Sequence, residues 1–490
     1  MSLTVGQERA LLPGRTRAVE QQEPVAGARL FQQFCIFTPV LWVFGVLTLS
    51  AVLLTLRLAW ARWPRGWAIN IIVGAWLSIA VVQVVASILY SLSIGEFVGE
   101  LHNLSSFAII GWVFGALIIA VGSAHRFATE RTVRAVSCLG VYLLVLEILC
   151  VPLRLMGFTP AGFQATPLGL LLPTTEAAKA YTSFVLYMRE DTFGEQLSRL
   201  VLFFPWYTAL GLGALSILFI GALERDWRWR APSMIGAMIA AVFCWSRLSI
   251  FCMLMVGGLM MFLRLPRLLQ ITAVCLTLAA GYGAMVNGYD PTIAYEHLQG
   301  DVDAARPGSN MARDLIYRKS WEGFVASPWF GNGLDFPRAL KTEPIAIGSH
   351  STTYGLLYTA GAPGLAAFIL AMLVTFIAMI WRYSAAATGS PERRALLVGI
   401  CLMLCLAVYA PFEALYSLTL PCIVLFSWIG ACFPSPRDAA VGIRAPSPME
   451  PVAPGPHKDS FQRTRASGLR RNLHPSALAS VQRPRMMKAG

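Results

Sequence analysis

The stretch from 232 to 263 is apolar except for Ser246, Arg247 and Ser249. An arginine at such a break is costly unless it reaches water, a headgroup or an anion such as pyrophosphate. A second group is Arg313, Tyr317 and Trp321, whose spacing of four residues sets them along one face of a helix. That helix is expected from Met311 to Ala326, ending at Ser327-Pro328, with Arg318 and Lys319 pointing elsewhere. It reads as an amphipathic helix on a membrane surface, Trp at headgroup level and a cation available to a phosphate. His350, in Gly348-Ser349-His350-Ser351-Thr352, is the third candidate. An imidazole with its ordinary pKa of about 6.5 suits proton transfer near neutrality, although a lone histidine is often only structural. Glu413 follows Pro411-Phe412 and has two readings, orienting an imidazole or serving as a helix N-terminal anion. Asp301-Val302-Asp303 has the spacing of a metal-binding D-x-D, but two carboxylates are not the ligand set of a divalent cation, and no metal is assigned.

The elements that must position these residues are membrane helices. Over 490 residues, 56% are hydrophobic, 13% are charged and the mean hydropathy is +0.60. A soluble chain would carry roughly 25% charged residues, so a soluble multidomain enzyme is excluded. The expected fold is all-α, a polytopic transmembrane bundle of about 11–12 spans with one long extracytoplasmic loop containing short helices. Apolar runs fall near 35–56, 70–93, 104–122, 133–156 and 199–222, twice within 232–263, then near 269–286, 353–380, 395–411 and 414–433. The organisation is a polar N-terminal arm (1–30), a bundle (31–433) that includes the loop 287–349, and a basic tail (434–490). The first 28 residues lack the apolar core of a cleavable signal, so the first span is expected to direct insertion. Of the net +13, the tail from Pro434 supplies ten Lys/Arg against three Asp/Glu. Attraction to anionic lipid headgroups accounts for that tail, and nucleic acid is not needed. The ten cysteines form no C-x-x-C and no Cys/His cluster, and read as small buried hydrophobes. No cofactor is expected.

Cytoplasmic loops retain Lys and Arg during insertion. Basic clusters at Arg57/Arg62/Arg65, Arg126/Arg131/Arg134, Arg225/Arg228/Arg230, Arg264/Arg267 and Arg382/Arg393/Arg394 therefore mark one face. Two such clusters flank 232–263, so this stretch must cross twice, with Ser246-Arg247 at an outward turn. The same parity fails at the N-terminus unless the first apolar run hides a hairpin, for which Pro39 is the expected break.

Three motifs, in this order, resemble the bacterial O-antigen ligases and polysaccharide polymerases that act on lipid-linked glycans. They are Ser246-Arg247 opening an apolar pass; Arg313 and Tyr317 followed by Ser327-Pro328-Trp329-Phe330-Gly331-Asn332-Gly333; and His350 followed by Gly361-Ala362-Pro363-Gly364-Leu365. The resemblance covers about Trp245 to Glu413; the first 200 residues add only generic spans. It implies inverting, metal-independent glycosyl transfer at the outer face of the membrane, from an undecaprenyl-pyrophosphate-linked oligosaccharide to a glycan acceptor. Arg247 and Arg313 match the arginines that hold the pyrophosphate, and His350 matches the histidine that activates the acceptor hydroxyl. Ser246, Tyr317, Arg318 and Glu413 are the expected substrate-binding residues. The chain departs from the pattern at Leu248, where the family usually has Gly, at Ser351, where it often has Asn, and at Tyr317, where it often has Trp.

The chemistry fits. Fixed guanidinium groups offset the charge that develops on a departing pyrophosphate, and a base within reach removes the acceptor proton. The expectation is a multi-pass enzyme of the bacterial inner membrane that polymerises exopolysaccharide or O-antigen units, with its site facing the periplasm or exterior. Its partners would be membrane lipids and other polysaccharide-assembly proteins. The alternatives are a ligase delivering the glycan to a lipid A core or protein, a flippase for the same lipid, and a metal-dependent transferase using Asp301 and Asp303. A flippase is disfavoured because no internal repeat is visible and the polar candidates share one face.

Overall fold

The computed structural model describes residues 13–64, 66–95, 105–159, 162–171, 179, 181–190, 197–287, 300, 307–334 and 346–434. The chain is mostly helical. In order come α1 (Pro13–Val43), α2 (Leu47–Ala61), α3 (Trp67–Ile94), a π-helical segment (Ser105–Val113) leading into α4 (Phe114–Ala124), α5 (Glu130–Leu155) and the short α6 (Pro167–Leu171). Strands β1 (Tyr187–Glu190) and β2 (Leu197–Leu200) follow, then α7 (Tyr207–Gly221), α8 (Trp227–Phe243), α9 (Arg247–Phe262) and α10 (Arg267–Val286). The remaining helices are α11 (Pro307–Ala326), α12 (Thr352–Ala385), α13 (Pro391–Tyr409), α14 (Leu415–Leu418) and α15 (Ile423–Ala431).

Among the described residues, four helical stretches are long and apolar enough to cross a membrane: Ala68–Ile94, Glu130–Leu155, Arg267–Ala284 and Thr352–Ala385. Shorter apolar helices accompany them, including Leu47–Ala61, Tyr207–Gly221 and Arg247–Phe262. Large apolar side chains also face outward, Leu276, Leu278 and Val286 of α10 among them. An apolar exterior of this extent is characteristic of a membrane protein.

Helix packing rests on small residues that let backbones approach closely. A Cβ on Gly430 would lie within 1.8 Å of the Ile119 carbonyl oxygen, and one on Gly236 within 2.3 Å of the Gly140 oxygen. In the core, Trp76 stands edge-on to Phe426 at 5.8 Å and donates to Thr375 Oγ1 at 3.1 Å.

The basic clusters converge on one pole. Arg134 grips Glu224 through two nitrogens at 2.8 and 3.0 Å, Arg225 pairs with Glu130, and Arg382 reaches Glu392 at 2.6 Å. His125 Nε2 lies 3.0 Å from the Leu58 carbonyl, which brings the Arg62 and Arg126 connections together. Helices α8 and α9 form the expected out-and-back pair: Arg230 near the start of one and Arg264 just beyond the other line the same recess.

Three features differ from the sequence reading. The single run at 35–56 is two helices, α1 and α2, broken at Gly45 with φ +75°. Gly27 of α1 and Leu58 of α2 both meet His125, so the two helices double back, and the chain enters at the basic pole. Glycine, without a Cβ, accepts this left-handed turn more readily than Pro39 breaks a helix whose other hydrogen bonds persist. The mostly helical chain, compatible with the all-α expectation, also carries one short antiparallel pair that was not expected, β1 with β2, Tyr187 opposite Leu200. The last apolar run, 414–433, is divided between α14 and α15.

Candidate functional site

His350 occupies the left-handed region, φ 59°, immediately before α12. Ser351 caps that helix by accepting from the Tyr354 N–H at 3.1 Å. Asparagine is an equally good N-cap, so serine at this position keeps the local geometry. Thr352 fixes the turn to another segment: its N–H donates to the carbonyls of Ala410 (2.9 Å) and Glu413 (3.0 Å), its hydroxyl donates to the Glu413 carbonyl (2.7 Å), and Leu415 N–H donates to that hydroxyl (2.8 Å). From the other side, Gly348 N–H donates to Oγ of the buried Ser320 on α11 at 2.9 Å.

Helix α11 presents Arg313 and Tyr317, one turn apart, to this structure. The Tyr317 ring stacks on Tyr354 with centroids 4.6 Å apart and planes within 9°. Arg313 Nη2 lies 3.4 Å from Glu413 Oε1, while Thr208 donates to Oε2 at 3.2 Å. Glu413 is buried and Arg313 is partly exposed. The carboxylate thus engages an arginine and a threonine.

Two of the motifs found in sequence form the clasp that holds α11 against α12. Inside α12, Gly361 adopts φ 64°, ψ −162° and breaks the helical ladder. Ala362 N–H, which would ordinarily donate to the Tyr358 carbonyl, donates instead to Pro328 O at 2.8 Å. The orphaned Tyr358 carbonyl accepts from Asn332, through its backbone N–H at 2.8 Å and its side-chain amide at 3.2 Å. The exchange leaves both helix ends satisfied. A Cβ on Gly331 or Gly361 would lie 2.5 Å from opposing backbone, and each has φ above +60°. The glycines are needed for both conformation and closeness.

The Ser246-Arg247 turn repeats the local design of His350-Ser351. Trp245 has φ 53°, and Ser246 Oγ accepts from Ser249 N–H at 3.4 Å to cap α9. Arg247, half-buried, is therefore the first residue of α9. Its helix is seated where α7 and α13 meet: a Cβ on Gly211 would touch Ser249 Cβ at 2.8 Å and the Tyr409 hydroxyl at 3.0 Å. Tyr409 O in turn accepts from Glu413 N–H at 2.8 Å. Contacts thus lead from α9 through Tyr409 and Glu413 to Arg313.

His350 is a solvent-exposed residue, while protein packs around its imidazole. That surround, and second the Arg313 guanidinium, lower its pKa from the ordinary 6.5 to about 4. The ring is neutral at pH 7 and able to accept a proton. Burial raises the Tyr317 hydroxyl to about 12, so it remains protonated.

The structure brings together His350, Arg313, Tyr317 and Glu413, and sets Arg247 at the same pole. It does not bring Arg318 to them: that side chain is exposed and pairs with Asp314 at 2.9 Å, because five residues from Arg313 is about 140° around a helix. Ser246 is buried and its hydroxyl acts as a helix cap. Asp301 and Asp303 lie outside the described residues, and among the described residues no cluster of His, Cys, Asp and Glu could hold a metal ion. Sequence reasoning missed Thr208 and Arg199, gave Tyr354 no role, and had Asn332 only as part of a motif. Arg199 is buried on β2, 4.1 Å over the Tyr207 ring and close enough to affect Cys244 electrostatically. Its signal was a cation inside an apolar run, masked by assignment of that run to a span. No family model matches the chain, and no curated protein matches it significantly.

Proposed function

We propose that the chain is a glycosyltransferase of the bacterial inner membrane. It would transfer a glycan from a polyprenyl-pyrophosphate carrier to an acceptor hydroxyl at the pole that carries His350, with growth of a polysaccharide as the preferred outcome. In this reading the helices cross the bilayer about 12 times, and the basic pole faces the cytoplasm. The observation that carries it is the juxtaposition of a neutral histidine with an arginine oriented by a buried carboxylate, His350 with Arg313 and Glu413.

The acceptor hydroxyl gives its proton to His350 as its oxygen bonds to the anomeric carbon. The bond from that carbon to the pyrophosphate oxygen breaks with inversion, and the departing pyrophosphate takes the electron pair. Arg313 and Arg247 offset the charge that develops, a role in which a fixed guanidinium requires no reorganisation. Glu413 and Thr208 keep Arg313 directed, and the Tyr317/Tyr354 stack fixes the helix that carries it.

The test is transfer from a synthetic polyprenyl-pyrophosphate glycan by the purified, detergent-solubilised protein in excess chelator. Transfer that persists in wild type and is lost in folded His350→Ala and Arg313→Ala supports the reading. A product ladder marks polymerisation, a single step on a lipid A core or protein marks ligation. Full activity of both variants, or loss with chelator alone, overturns it.

A further inference from the structure

The pole remote from His350 carries a recess of about 550 Å³ among α8, Arg264 just beyond α9, the α12–α13 turn with the start of α13, and the connection from α7 to α8. Five arginines line it: Arg225, Arg230, Arg264, Arg393 and Arg394. Its one acidic residue, Glu224, is already engaged by both nitrogens of Arg134, and Asp226 sits against that same arginine at 3.8 Å. Arg225 is paired with Glu130. Arg393 is oriented, stacked 4.6 Å over the Tyr383 ring and donating to Thr388 Oγ1 at 2.8 Å. Among the described residues Arg230, Arg264 and Arg394 have no ion pair.

Retention of positive charge at one face explains the number of these arginines but not their convergence, from three separate connections, on one concavity. Like charges drawn together repel unless a counter-charge lies between them. Planar guanidinium groups aimed from several sides match the oxygens of a phosphate. The chain's own tail from Pro434 has ten cations against three acids and is no complement for the recess.

We propose that this recess is a binding site for a phosphate-bearing anion, held by Arg230, Arg264 and Arg394 with Arg393 as an oriented fourth donor. The site is independent of the transfer chemistry at the other pole: below the break at Gly361 alone, the helix from Ala362 to Tyr383 rises roughly 30 Å at 1.5 Å per residue. Its phosphate has two chemical sources, the headgroup of an anionic phospholipid or a free phosphate.

Two arms distinguish them, both on the full-length protein in detergent. Native mass spectrometry reads retention of phosphatidylglycerol against phosphatidylcholine, and calorimetry, on Arg313→Gln protein so that the proposed transfer site does not compete, reads binding of inorganic phosphate. The expected result is one bound anion in one of the arms, weakened about tenfold or more in Arg264→Gln/Arg394→Gln and unaffected by Arg318→Gln. Should the double variant not fold, wild-type protein treated with phenylglyoxal supplies the same answer, since the bound anion must slow modification of Arg264 and Arg394. An affinity unchanged in the double variant, no preference for either anion, or modification that neither anion slows overturns the proposal.

Discussion

The two poles use arginine in opposite ways. At the His350 pole the candidate site's arginines are set into built structure: Arg313 by Glu413, Arg199 over Tyr207, Arg247 at the capped start of α9. At the other pole they are numerous and exposed, lining a recess whose one carboxylate is already engaged. Charge count follows insertion, whereas charge placement follows packing. Only the second gives a fixed electrostatic field of the kind transfer chemistry needs.

That contrast is broken or sharpened by substitution. The largest effect is expected from His350→Ala, which should lower transfer by about 10²–10⁴-fold without unfolding the protein, while Arg264→Gln/Arg394→Gln leaves the rate near wild type. Equal losses at both poles in a transfer assay would erase the distinction. Next is Arg313→Gln, expected to lower kcat/KM by about 10²-fold, as for a lost oxyanion donor.

The clasp comes third. Gly361→Ala places a Cβ against Pro328 O at φ 64°, and should destabilise the protein by about 1–3 kcal/mol in a thermal or denaturant melt. Asn332→Ala removes two side-chain hydrogen bonds, to Gly323 O and Tyr358 O, and should lower stability by about 1–2 kcal/mol. Neither substitution touches the other pole, so anion binding in the basic recess should be retained.

The pH dependence follows from His350. Its pKa in the fold, about 4, lies below the ordinary 6.5, so the fold favours the neutral ring. Stabilisation from this group is full above about 6.5 and is lost as pH falls toward 4. The acid limb of kcat/KM should therefore lie near pH 4, and Arg313→Gln, by removing a cation, should move it upward. A limb at 6.5 in wild type would show that neither the protein around the ring nor Arg313 disfavours its charged form. The smallest effect is expected at the basic pole. The Arg134 hydrogen bonds hold the Glu224 carboxyl below the usual range, so its contribution is present above the ordinary carboxylate pKa and lost in acid. Glu224→Gln should flatten the acid side of the stability profile slightly.

Much of this was legible in the sequence. The helix ending at Ser327-Pro328, the turn at Ser246-Arg247 and the gathering of basic connections each follow from a local signal: a proline stop, a polar break between apolar runs, a count of cations. Arg313 and Tyr317 share a face because four residues make about one turn. The partner of Glu413 was not legible, because a hydrogen bond across 100 residues leaves no mark on spacing. Nor was the fate of the Tyr358 carbonyl.

The sequence by itself determined that this chain is helical and apolar, which residues share each helical face, and where the Ser246 turn and the Ser327-Pro328 stop fall, since those properties depend on neighbours within a turn or two. Only the tertiary structure decided that Gly45 turns the first hairpin, that Asn332 satisfies the break at Gly361, that Glu413 takes Arg313, and that arginines from three connections share one recess. These are choices among long-range partners of equal local merit, and packing selects among them by which buried polar groups it leaves satisfied.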